Sequence, residues 1–260
     1  MTIRPVLLAA AALLLAPVAF MAIHTTTARS ADPAPQPAAQ QDFVLGNQSQ
    51  DMSMDQFLTG VTKDVDSYWT GVFKAEGRPE PRVSYAWIPS GQSVDSACGA
   101  QGETAAAYCP GDDTIYISED FANGIYSGDL NQSLPGSSQG YGGAYGDFAV
   151  AYIIAHEYGH QIQDELGTYQ KYGNQLPTMA FELQADCYAG TWGKHAADAG
   201  QLESGDEQEA LDAALAVGDF SSDAQHHGTP EQRADAWNTG FSSGQPSSCD
   251  TYLDASNYGV

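Results

Sequence analysis

Apolar positions recur along the chain with two periods, and the dominant period changes near residue 147. Phe57, Val61, Val65, Tyr68, Trp69 and Val72 fall three or four residues apart, the spacing of one helical face. Ser53 or Asp51 is placed to cap that helix, and Gly77 with Pro79 ends it. Residues 82–88 alternate instead, with Val83, Tyr85 and Trp87 on one side and Arg82, Ser84 and Ala86 on the other. That predicts a strand, and Thr114–Ser118 (TIYIS) predicts a second. Residues 127–146 are rich in Gly, Ser and Tyr without periodicity. They predict an irregular loop, which at that length is either functional or mobile. From Asp147 the pattern is helical: Phe148, Ala151, Ile154, Ala155, Tyr158, Ile162 and Leu166 form a stripe stopped by Gly167. Residues 180–192 and 207–217 predict two more helices. Thr229-Pro230-Glu231-Gln232 is a capping box that opens a last one. No internal repeat interrupts this order.

Composition narrows the class. The 260 residues carry 33 acids against 9 bases, a net charge of −24. Arg4 and Arg29 precede the first acid, Asp32, so without the first thirty residues the balance is 33 against 7, or −26. So acidic a body repels phosphate backbones and anionic lipid, and nucleic acid is excluded as the expected partner. Hydrophobic residues at 42% suffice for a core.

Arg4, the apolar run 6–23 and the small residues Ala28 and Ser30 predict an export signal over residues 1–30. The run is 18 residues long, near a minimal membrane span, so retention as an N-terminal anchor is the second expectation. Either way the expected location of the rest is outside the cytoplasm, secreted or membrane-anchored. Residues 31–50, rich in Pro, Ala and Gln, predict a flexible linker, and residues 51–260 a single domain. Cys98, Cys109, Cys187 and Cys249 allow three pairings. The expected ones are Cys98–Cys109, closing a small loop, and Cys187–Cys249, tying the tail to a helix. No CxxC pair supports the rival reading as metal ligands.

The candidate chemistry lies in His156-Glu157-Tyr158-Gly159-His160, an HExxH pattern inside a predicted helix. Residues i and i+4 share a helix face about one turn apart, so His156 and His160 can hold one zinc. Glu157, beside the first of them, can take a proton from a zinc-activated water. The apolar flanks imply burial, where an unpaired His-Glu-His set would be costly without a metal. Gln163 and Leu166 stand where a metzincin needs Gly and His. Asp164 lies ~12 Å along the axis from His156 at 1.5 Å per residue, too far to join both histidines. The third ligand is therefore sought in Phe181-Glu182-Leu183-Gln184-Ala185-Asp186. Glu182 can bind metal, and Asp186, one turn on, can take the free N–H of His156. Cys187 is 140° round that helix from Glu182 (five residues at 100°), which favours the disulfide. An oxyanion donor is expected from His227, near the entrance of the last helix, with Tyr169 and Tyr172 competing. Arg233 is placed to pair with an acid near the site.

Several segments in order resemble the neutral zinc metallopeptidases of bacteria. They are Ser96-Ala97-Cys98-Gly99, Tyr108-Cys109-Pro110-Gly111-Asp112, Thr114-Ile115-Tyr116-Ile117 and the run from Ala151 to Gln161. Glu182-Leu183-Gln184-Ala185-Asp186-Cys187-Tyr188-Ala189-Gly190 and Gly228-Thr229-Pro230-Glu231-Gln232-Arg233 follow. The similarity runs from about Phe57 to Tyr252. It implies a zincin-like α+β fold, a small sheet packed on the HExxH helix with a mainly helical C-terminal half. It also implies zinc on His156, His160 and Glu182, with Glu157 as general base. The spacing of His227, Glu231 and Arg233 is similar to the C-terminal motif of membrane-linked gluzincins. The expected activity is zinc-dependent cleavage of peptide bonds in peptides or proteins. The alternatives are a non-catalytic zinc-stabilised binding module at the cell envelope and a hydrolase of peptidoglycan cross-links.

Overall fold

The first apolar stripe folds as helix α1 (Met54–Ala75), opened by a reciprocal cap in which the Ser53 hydroxyl accepts the Gln56 N–H and the Gln56 side chain accepts the Ser53 N–H. Phe57, Leu58, Val61, Val65 and Trp69 are buried along it. Each such side chain contributes ~1.5–3 kcal/mol relative to exposure. This computed structural model describes residues 52–221 and 226–259. The expected export signal and linker lie outside them, as does Asp51. Among the described residues no helix is long and apolar enough to cross a membrane.

The chain is mixed α/β, with two small sheets and a helical majority. One sheet has the order β1 (Ser84–Ile88), β5 (Thr114–Ser118), β4 (Ala106–Cys109). β1 runs parallel to β5, pairing Tyr85 with Ile115, and β4 antiparallel, pairing Tyr108 with Ile115. The central strand β5 is buried throughout, as its apolar run suggests. Strand β1 is shorter than the 82–88 alternation predicts. Tyr85 and Trp87 do share a side, their rings 5.0 Å apart, but that side is half-wet and the fully buried residue is Ile88. β2 (Val94–Ser96) and β3 (Gly99–Gln101) form a separate hairpin. These three-residue strands, like the four-residue β4, are too brief to show a period.

Helix α2 (Glu119–Ser127) starts directly from β5, with Ser118 capping it through the N–H groups of Asp120 and Phe121. The loop that follows does not stand free: the Gly136 N–H donates to Ala216 O, and Leu134 joins the core. Helix α3 (Asp147–Glu165) is buried on nearly every side and carries residues 156–160. α4 (Thr168–Tyr172) is a short turn, followed by α5 (Thr178–Asp198), α6 (Asp206–Val217) and α7 (Pro230–Ser243). Thr229 and Gln232 form the expected capping box of α7.

Two close approaches position the site. A Cβ on Gly159 of α3 would lie 3.0 Å from Ala185 Cα of α5, so any side chain there would press the two helices apart by a few tenths of an ångström. A Cβ on Gly240 of α7 would lie 1.9 Å from Cys187 O, and one on Gly190 of α5 would lie 2.1 Å from Trp237 O. The crossing of α5 and α7 is thus backbone against backbone. Disulfides join Cys98 to Cys109 and Cys187 to Cys249, the second pinning the 3₁₀ tail Pro246–Leu253 to α5.

Candidate metal centre

His156 and His160 project from one side of α3 with ring centroids 4.7 Å apart. Glu182, in the second turn of α5, reaches both. Its Oε2 is 3.3 Å from His156 Nε2 and its Oε1 3.5 Å from His160 Nε2. One ligand atom from each residue lies within 4.8 Å of the others. Two imidazole nitrogens and a carboxylate oxygen at that separation suit a zinc ion with a further position open.

Both imidazoles are held from behind through Nδ1. His156 Nδ1 is 2.8 Å from Asp186 Oδ1, and Tyr152 OH donates to the same oxygen at 2.6 Å. Arg233 closes this group, donating from Nε to Asp186 Oδ2 at 2.7 Å and from Nη2 to Oδ1 at 2.9 Å. Asp186 is fully buried, which disfavours its charge, yet Arg233 and His156 outweigh that and pull it down to about 2. Burial likewise disfavours a charged His156. Asp186 overcomes it against the opposing charge of Arg233, and His156 rises to about 9. Glu182 falls well below the usual carboxylate range: burial works against its charge, and His160 and His156 prevail. His160 Nδ1 has a neutral backing instead, Gln163 Oε1 at 2.9 Å and the Tyr169 hydroxyl at 3.0 Å.

Glu157 faces the same cleft, and the Tyr108 main-chain N–H of strand β4 donates to its Oε2 at 2.8 Å. The cleft has a volume of about 450 Å³ and is also lined by His227, Asp219 and Arg233. His227 is half-exposed. Asp219 Oδ2 accepts its main-chain N–H at 2.9 Å and lies 3.1 Å from its Nδ1. Asp219 Oδ1 lies 2.6 Å from His226 Nδ1. Partial burial pushes Asp219 up, but the His227 N–H, the His226 ring and the Ser221 N–H hold it well below the carboxylate range.

The two competing tyrosines lie elsewhere. The Tyr169 hydroxyl sits behind His160 and donates to Gln163 Oε1 at 2.8 Å. Tyr172 packs with the small Leu176 cluster, under the Lys171 ammonium. Asp164 is turned to Tyr108 OH and Gln170. Sequence reasoning missed the roles of Tyr152, Gln163, Asp219 and the Tyr108 N–H. Tyr152 had a readable signal, four residues before His156 on the same helix face. Gln163 had a similar one, three residues after His160, though its contact with Phe181 depends on folding, as do the roles of Asp219 and the Tyr108 N–H.

A family model described as "Putative neutral zinc metallopeptidase" matches residues 6–252. The chain belongs to this family. Among the curated relatives of the chain is the uncharacterized protein YpfJ of Escherichia coli K12. It is 34% identical over 241 residues, covering 84% of this chain and 78% of the relative. The uncharacterized protein Rv2575 of Mycobacterium tuberculosis H37Rv is 33% identical over 217 residues, covering 74% and 68%. No solved structure matches it.

Proposed function

We propose that the chain is an exported zinc-dependent peptidase of the gluzincin type with a zincin-like active-site helix. The observation that carries this reading is the position of Glu157. It opens on the same cleft as the Nε2 atoms of His156 and His160 and the carboxylate of Glu182, with one oxygen anchored by the Tyr108 N–H. A purely structural zinc site closes all its positions with protein ligands and has no use for a carboxylate poised beside them.

His156, His160 and Glu182 would hold the ion, with Asp186 and Arg233 fixing the His156 ring. When bound, zinc supplies a Lewis acid that lowers the pKa of a water toward ~7 and polarises a peptide carbonyl. The second oxygen of Glu157 takes the proton of the attacking water and delivers it to the departing amine. His227, its Nδ1 turned to Asp219, can donate from Nε2 to the oxygen that gains charge when its ring carries both protons. The pairing of all four cysteines supports an oxidising compartment, consistent with the export signal read over residues 1–30.

Glu157→Gln is the deciding variant, assayed on casein and unstructured peptides with zinc content measured in parallel. The expected result is full zinc content and a loss of cleavage on the order of 10²–10⁴-fold, the usual share of a general base. Unchanged cleavage would end this reading.

A further inference from the structure

We infer that Gln163 is a positioning residue which locks the His160 ring and sets its separation from Glu182. This rests on the zinc reading above and concerns residues behind the site. Gln163 is wholly buried on α3, three residues after His160. Its Nε2 lies 2.7 Å from the main-chain carbonyl of Phe181, the residue before Glu182 on α5, and 3.1 Å from Gln184 Oε1. A main-chain carbonyl can only accept, so the amide orientation is decided: nitrogen toward α5, oxygen toward His160. Gln163 Oε1 then stands 2.9 Å from His160 Nδ1 and 2.8 Å from the Tyr169 hydroxyl, whose proton it accepts.

Two consequences follow from the chemistry of the amide. An oxygen facing Nδ1 requires that nitrogen to carry the proton, which leaves the Nε2 lone pair for metal. A single side chain also ties one ligand's ring to the main chain next to another ligand, across the α3–α5 interface that Gly159 keeps narrow. His156 obtains its orientation from a charged pair, Asp186 with Arg233. His160 obtains its own from neutral groups, so the two rings are seated by different means. The sequence marks Gln163 only as standing where a metzincin needs Gly; the fold gives it this other task.

Zinc affinity, measured by chelator competition, and the visible spectrum of the cobalt-substituted protein test the inference. Gln163→Leu removes both the oxygen and the nitrogen at similar volume, and zinc binding should weaken by roughly 10–100-fold, the usual effect of losing a ligand's supporting partner. Gln163→Glu keeps an acceptor for His160 and should recover part of that loss, while Tyr169→Phe, which leaves the amide in place, should change affinity less than Gln163→Leu. Wild-type affinity and cobalt spectrum in Gln163→Leu, or no recovery in Gln163→Glu, would overturn the clamp. If Gln163→Leu does not fold, wild-type protein decides. In the zinc-loaded form, the His160 Nδ1 proton should be slow to exchange in ¹H–¹⁵N spectra, and a rapidly exchanging one would overturn the inference. Wild-type protein that binds no zinc would remove the metallopeptidase reading as well, whereas a failed clamp leaves that reading intact.

Discussion

At the scale of single residues, the centre depends on burying charge in pairs. Asp186 and Arg233 are enclosed together, and each is tolerable only beside the other. Arg233→Met would take from the buried Asp186 its strongest charged partner and leave it only His156 and the Tyr152 hydroxyl, so a loss of about 3–5 kcal/mol in unfolding free energy is expected, read by denaturant titration. Changing both residues to apolar ones of similar volume should recover much of that stability while still weakening zinc binding. Protons supply a second expectation. In the metal-free protein His156 titrates at about 9, and zinc binds only the neutral ring. Below that pH a proton competes with the ion, so zinc affinity should rise with pH until about 9, with proton release detectable by calorimetry in buffers of different ionisation enthalpy.

At the scale of elements, helices are placed by what is absent as much as by what is present. Gly159→Ala would drive a methyl group against Ala185 Cα and carbonyl oxygen, both 3.0 Å from the added atom, and push α5 away from α3. Because Glu182 rides on α5, the expected outcome is weaker zinc binding together with a stability loss of ~1–3 kcal/mol typical of overpacking. The N-terminus of α3 shows a related economy: Gly146 has no side chain to cap it, and Glu209 of α6 accepts the Phe148 N–H at 3.1 Å instead. Burial raises Glu209 first, the Phe148 N–H opposes, and Asp147 and Asp206 add to the rise, bringing it to about 7. A carboxylic acid raised from 4.5 binds its proton more tightly folded than unfolded, so its contribution is complete below pH 4.5 and is lost as pH rises through 7. Glu209→Gln keeps an acceptor for Phe148 without the charge. Its thermal stability relative to wild type should therefore improve as pH is raised from 5 to 8.

At the scale of the whole molecule, the Cys187–Cys249 bond closes a loop with a sequence separation of 62 and holds the tail onto the helix that carries Glu182. Replacing both cysteines by alanine should cost about 4 kcal/mol on a chain-entropy account, seen as a lower midpoint in denaturant. The strong negative charge sets the molecule's general behaviour, with solubility and repulsion of polyanions, and leaves the fold to apolar patterning. That patterning made α1, α3 and α6 legible within a few residues of their ends and α7 at its start, because each carries a long 3.6-residue period or a capping signal; α2 was not read, and the helix expected over 180–192 falls six residues short of the end of α5. Strands β2, β3 and β4 and helix α4 were not legible. Elements of three to five residues hold too few positions to establish a period, and neighbouring chain decides their conformation. The loop at 127–146 illustrates the same point: its composition says only that it is irregular, while α6 supplies the carbonyl that fastens Gly136.

What the sequence determined by itself was the chemistry offered to a metal. His156 and His160 are bound to share a helix face by the geometry of i and i+4, and Glu157 is bound to lie beside them. Glu182 and Asp186 share a face for the same reason. Local periodicity carries that information because every distance involved spans a single turn. Beyond the Asp186 expected behind His156, the tertiary structure decided which groups stand around those candidate ligands, and it made Asp186 the acid that Arg233 pairs with. Phe181 O sits against Gln163 Nε2, Arg233 against Asp186, the Tyr108 N–H against Glu157 and Asp219 against His227. Each of these pairs joins chain segments that are not in register with one helical turn. Their meeting depends on how closely α3, α5, α7 and the edge strand β4 approach, which packing sets through contacts such as Gly159 on Ala185.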